Sequence, residues 1–154
     1  MIQRIQTIYL VLAELLTATL LFLPYGEIAG KDGKLFVLGI GGLVAENGAN
    51  STLIQNSWPI ALVVALNLIL LTSIIFQFKN RPQQIKASYL SILLLLGQSA
   101  IIYFYVWQAS QILGGSYAIK ISTYFPLIAV VLVYLAIKGI SQDENLVKSI
   151  DRIR

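Results

Sequence analysis

The sequence predicts an all-α membrane protein: a four-transmembrane-helix bundle with a small β-hairpin or meander in its first extracytoplasmic loop and both termini in the cytoplasm. Three observations predict it. Of 154 residues, 57% are hydrophobic and only 12% charged, with a mean hydropathy of +0.78, whereas a soluble domain carries about a quarter charged residues. Four apolar stretches meet the requirement of roughly 20 residues with which a helix crosses a hydrocarbon core about 30 Å thick. The basic residues fall mostly on one of the two sides that those stretches define.

The stretches run over about 5–23, 58–78, 87–109 and 123–140. Proline marks their edges. Pro24 closes the first, Pro59 opens the second behind Ser57, Pro82 lies in the link to the third, and Pro126 falls in the first turn of the fourth. At those positions a missing N–H does least harm. The first stretch reads as a retained helix rather than a cleaved signal peptide, because Glu14 interrupts its apolar run and Glu27 and Ile28 stand where small residues flank a cleavage site. The whole of 1–154 is read as one membrane domain.

Orientation follows from Lys and Arg, which short loops retain in the cytoplasm. Arg4, Lys79, Arg81, Lys86, Lys138, Lys148, Arg152 and Arg154 put eight of the 11 basic residues on one side, against Lys31, Lys34 and Lys120 on the other. The net charge of +4 is then a product of topology, and no nucleic-acid-binding motif accompanies it.

The outer loop, 24–57, has 34 residues, far more than a helix-to-helix turn needs. Its Lys31-Asp32-Gly33-Lys34 segment has the Asp-Gly pair of a tight hairpin, followed by the β-prone Leu35-Phe36-Val37-Leu38. Gly39-Ile40-Gly41-Gly42 turns the chain into Leu43-Val44-Ala45, and Asn47-Gly48 ends a third strand. The apolar face of this meander is expected to rest on the helix ends.

Composition excludes much chemistry. Without histidine or cysteine the chain has no imidazole or thiolate for zinc sites, haem ligation by histidine, dithiol exchange or nucleophilic triads. No catalytic residue, metal or cofactor is assigned, and no enzymatic activity is expected. The distinctive interior feature is polar. Glu14 lies about 13 Å along its helix from Ile5, close to the midplane. The same rise places Asn67, Gln98 and Tyr134 at similar depth in the other three spans. A carboxylate there costs about 2.5–3.5 kcal/mol on insertion scales, so it should face the bundle. Two readings compete: a structural layer in which Glu14 and the amides hydrogen-bond and fix helix neighbours, and a site for a lipid, a quinone, a proton or a cation.

The tail, 141–154, places Leu146, Ile150 and Ile153 on one stripe, and reads as a short helix lying on the inner leaflet. Met1-Ile2-Gln3-Arg4-Ile5-Gln6-Thr7-Ile8-Tyr9-Leu10 at one end and Leu146-Val147-Lys148-Ser149-Ile150-Asp151-Arg152-Ile153-Arg154 at the other resemble the family called domain of unknown function 4293, small integral membrane proteins of the Bacteroidetes group. The resemblance implies a bacterial inner membrane and a family without an assigned activity. It draws attention to Arg4, Asp151, Arg152 and Arg154 as a cytoplasmic patch joining the termini. Four spans with a β-rich first outer loop also resemble the claudin architecture in shape, although this loop has no cysteine pair. The functional expectation is a non-enzymatic scaffold or accessory subunit of a membrane complex, whose partners are membrane lipids and another protein or a second copy of the chain. The alternative is a lipid- or quinone-binding, or proton- or ion-responsive, transporter-like protein using Glu14.

Overall fold

The computed structural model describes residues 3–31, 33–45, 52–78 and 80–151, with side chains over 5–144 of these. Four helices, α1 (Gln3–Thr19), α2 (Trp58–Phe76), α3 (Arg81–Leu113) and α4 (Phe125–Asp151), alternate with strands β1 (Gly26–Ala29), β2 (Leu35–Gly39), β3 (Gly42–Ala45), β4 (Thr52–Gln55) and β5 (Ser116–Ile119). A short 3₁₀ turn, Ile121–Tyr124, leads into α4. Each helix packs along two others in the cyclic order α1, α2, α3, α4.

Among the described residues, three helical stretches are long and apolar enough to cross a membrane: Trp58–Phe76, Arg81–Leu113 and Ile121–Glu144. The first helix is shorter, Ile5–Thr19 by the same criterion, so the span expected over 5–23 ends four residues early. Its last apolar residues form tight turns instead, with Leu20 N–H bonded to Thr17 O at 3.2 Å and Leu21 N–H to Ala18 O at 3.0 Å. Pro24 disfavours helical backbone at Leu23. The outward faces are apolar too: Leu66, Ile69, Leu93 and Val131 are 47%, 64%, 66% and 56% exposed, the all-round pattern of a helix surrounded by lipid or protein.

α3 is longer than the apolar run 87–109 that announced it, because Pro82 starts it early and no breaker interrupts it before Gly114. There the backbone turns left-handed, φ 57°, and the Gly115 N–H reaches back to Ser110 O at 3.2 Å, capping the last carbonyls. The tail expected to form a separate surface helix is instead continuous with α4 through Asp151, since no proline or turn sequence separates them. Leu146, Ile150 and Ile153 lie outside the described side chains.

The strands form one antiparallel sheet in the order β4-β3-β2-β1-β5. The expected β1–β2–β3 meander is its centre, with Ile28 opposite Phe36 and Leu38 opposite Leu43. Two strands extend it beyond expectation. β4 pairs with β3, and β5, from the loop between α3 and α4, pairs with β1, Glu27 opposite Ala118. Asn47 and Gly48 lie outside the described residues, and β3 ends at Ala45.

Alternation along the strands builds the outer core. Ile28, Phe36, Leu38, Leu43 and Ala45 turn one sheet face onto Leu20, Ile60, Val64, Ile102 and Val106 at the helix ends. A second cluster, around Leu10, Leu71, Leu95 and Val133, fills the space between the helices toward the opposite end. Tyr25 joins helix to sheet. Fully buried, its hydroxyl donates to Leu20 O at 2.8 Å, supplying a partner to a carbonyl beyond the α1 terminus.

Burial pushes the Tyr25 phenol from 10.0 up to about 12. The folded state therefore keeps this proton where the unfolded chain releases it, and stability falls as pH climbs from about 10 toward 12. Below pH 10, Tyr25→Phe is expected to be less stable than the native chain by a constant ~0.5–1.5 kcal/mol, the worth of the lost bond. Above pH 10 the gap narrows. Unfolding midpoints of both proteins in detergent across that range check it, and a gap that widens refutes the assignment.

Candidate functional site

The helices bury several polar side chains, among them Gln6, Asn67, Gln84, Gln98 and Asp143, and each costs free energy unless it finds a hydrogen-bond partner. On α2, Asn67 is fully buried. Its Nδ2 donates to Gln98 Oε1 on α3 at 2.6 Å, so the two amides clamp α2 to α3. The clamp is incomplete: Asn67 Oδ1 and Gln98 Nε2, with Ser91 Oγ, are buried without a protein hydrogen bond among the described residues.

Glu14 makes a different contact. The Thr72 hydroxyl of α2 lies 2.5 Å from Glu14 Oε1 and 2.8 Å from Leu68 O one turn back. Thr72 and Asn67 are five residues apart, about 140° around the helix and about 7.5 Å along it. The same helix thus turns one polar group to α1 and the other to α3, and the pairs are two separate contacts rather than one layer. Tyr134 joins neither. At 56% exposure it sits on the outward face of α4, one residue past the buried Val133.

The residues expected to form a patch joining the termini, Arg4, Asp151, Arg152 and Arg154, lie outside the described side chains. Just inside it, α1 and α4 are joined by Gln6 Nε2 donating to Asp143 Oδ2 at 2.9 Å, a pair separated by 137 residues. Arg81 Nη1, at the start of α3, donates to Asp143 O at 3.4 Å. Gln84 Nε2 donates to Ile74 O at 3.0 Å, tying α3 to the end of α2. The sequence signal for these contacts is that Gln6, Gln84 and Asp143 are polar groups within a turn or two of the basic ends.

At the opposite end the two outer segments are stitched together. Lys120 N–H donates to Tyr25 O at 2.9 Å, Thr123 Oγ1 to the same carbonyl at 2.6 Å, and the Ser122 hydroxyl to Pro24 O. Lys120 Nζ also meets Glu27 Oε1 at 2.6 Å, both side chains 40% exposed. An ion pair that open to solvent adds little; the backbone bonds carry the junction. Beside it the Tyr117 phenol is raised by its hydrogen bond with Tyr103.

Chemically, these arrangements hold helices and loops in register. Among the described residues, no three Asp or Glu side chains cluster to hold a metal, and the polar pairs bring together amides, a hydroxyl and one carboxyl. No match to a curated protein was found. The family model described as "Domain of unknown function (DUF4293)" matches residues 2–153, nearly the whole chain, and the chain belongs to that family.

Proposed function

We propose that this is a four-span protein of a bacterial inner membrane with both termini cytoplasmic, acting as a non-catalytic scaffold or accessory subunit that presents its sheet to a partner protein outside the cytoplasm. The observation that carries the reading is the sheet itself. Five strands drawn from two loops are pinned to the helix ends by an apolar face and by the Tyr25 junction, which is far more order than a connection between helices requires. Its two edge strands, β4 and β5, have one side without a partner strand among the described residues, the position in which backbone donors and acceptors are left free. Leu53, Ile54 and Tyr117 on them are 59%, 44% and 39% exposed. An extended segment of a second membrane protein that adds to such an edge gains main-chain hydrogen bonds and apolar contacts together. The separation of Glu14 from the Asn67–Gln98 pair favours this reading over a single midplane ligand cavity.

A photo-reactive side chain placed at Tyr117 is expected to cross-link to one other protein in native membranes, while Lys34→Cys reacts with an impermeant thiol reagent in intact cells. Recovery of the chain only as a lone monomer overturns the scaffold role. Labelling at Lys34 only after lysis overturns the orientation.

A further inference from the structure

At the end of the helices away from the sheet, residues of α1 and α4 line a cleft of about 250 Å³. Its lining is graded along the helix axis. Lys138 and Gln142, one turn apart on α4, stand at the shallow end, and Leu135 and the Tyr9 ring lie deeper. Gly139 lets the Gln6 side chain lie close against α4 beside the cleft, because a Cβ there would come within 2.9 Å of Gln6 Cγ. The charge is uncompensated: among the described residues Lys138 makes no ion pair. Asp143, which touches the cleft-lining Gln6, is buried and its carboxylate is engaged by Gln6 Nε2.

A cation and an amide at headgroup level above an apolar slot match a lipid whose head is an anion and whose body is a hydrocarbon chain. We propose that the α1–α4 cleft binds one anionic phospholipid, its phosphate held by Lys138 and Gln142 and one acyl chain laid against Leu135 and Tyr9. A soluble phosphate lacks the part that the deep end recognises, and a zwitterionic lipid lacks the net charge that Lys138 selects. The inference rests on the membrane reading above but not on the scaffold role or on which side the termini lie.

The full chain is reconstituted in vesicles of phosphatidylcholine alone or of phosphatidylcholine with phosphatidylglycerol, floated, extracted gently and weighed by native mass spectrometry. The native chain is expected to retain phosphatidylglycerol in preference to phosphatidylcholine. Lys138→Gln, a change at an exposed residue, lowers retention about fivefold, the ratio equivalent to ~1 kcal/mol for one cation near a membrane surface. Leu135→Trp fills the deep end and lowers it with the charge unchanged, while Lys86→Gln, a control on the same side, leaves it as it was. Equal retention of the two lipids, equal losses from Lys138→Gln and Lys86→Gln, or full displacement by glycerol phosphate overturns the site while the membrane reading stands. A chain that floats with neither vesicle overturns both.

Discussion

Replacing Asn67 with leucine is expected to destabilise the fold by ~1–3 kcal/mol, and replacing Gln98 with leucine in the same chain to restore most of the loss. The asymmetry comes from how buried polar groups are satisfied. Asn67→Leu removes the 2.6 Å bond to Gln98 Oε1 and leaves a second amide stranded between α2 and α3, at the full desolvation penalty of that group. With both amides gone, two aliphatic side chains of similar bulk face each other and nothing polar remains to be satisfied. The double variant should therefore come close to the native chain. It has a further advantage, since Asn67 Oδ1 and Gln98 Nε2 are already unpaired in protein terms. Unfolding in detergent of the native, single and double variants closes the cycle. Losses that simply add would show that the amides do not act as a pair.

A larger effect is expected at Gly115. A Cβ built there would lie 1.8 Å from the Ala29 carbonyl oxygen and 2.8 Å from its carbon, both backbone atoms that cannot swing away. Gly115→Val therefore forces β5 off β1, with a loss of about 3 kcal/mol or more, at or above the upper end for overpacked sites. Cysteines at Glu27 and Ala118, which face each other across the β1–β5 pair, report the event without background, because the chain has no cysteine of its own. A short bifunctional thiol reagent should join them in the native background and fail to do so with Gly115→Val. Gly97→Ala is the contrast. Nothing lies within 4 Å of its Cβ, and alanine in mid-helix should stabilise by ~0.5–1 kcal/mol. Efficient cross-linking in the Gly115→Val background would refute the packing argument.

Hydrophobic runs were legible because hydropathy sums over about twenty residues and single exceptions such as Glu14 do not erase the sum. The β1–β2 hairpin was legible for a local reason, the Asp32-Gly33 pair, and the glycine indeed has φ 71°. β5 was not. Ser116–Ile119 is four residues long, with no alternation to separate it from a loop, and it is a strand only because β1, some 90 residues earlier, offers an edge. The interior site divides the same way. Depth follows from a fixed rise per residue, so Asn67 and Gln98 were placed level with each other and do touch. Direction around the helix depends on which neighbour each face meets. That is why Tyr134 faces outward, and why Glu14 found Thr72 instead of the amides. The Gln6–Asp143 bond joins positions 137 residues apart, a separation at which local pattern carries no information.

The pairing of β1 with β5 also imposes an order on biogenesis. In the topology proposed above, the first hairpin emerges on the far side of the bilayer with one edge bare, and its partner strand follows only after α2 and α3 have threaded. Until residue 119 of 154 has crossed, the nascent polypeptide exposes β1 as an adhesive strand to whatever waits there, a window in which chaperones or an assembly partner can intercept it before β5 covers that edge.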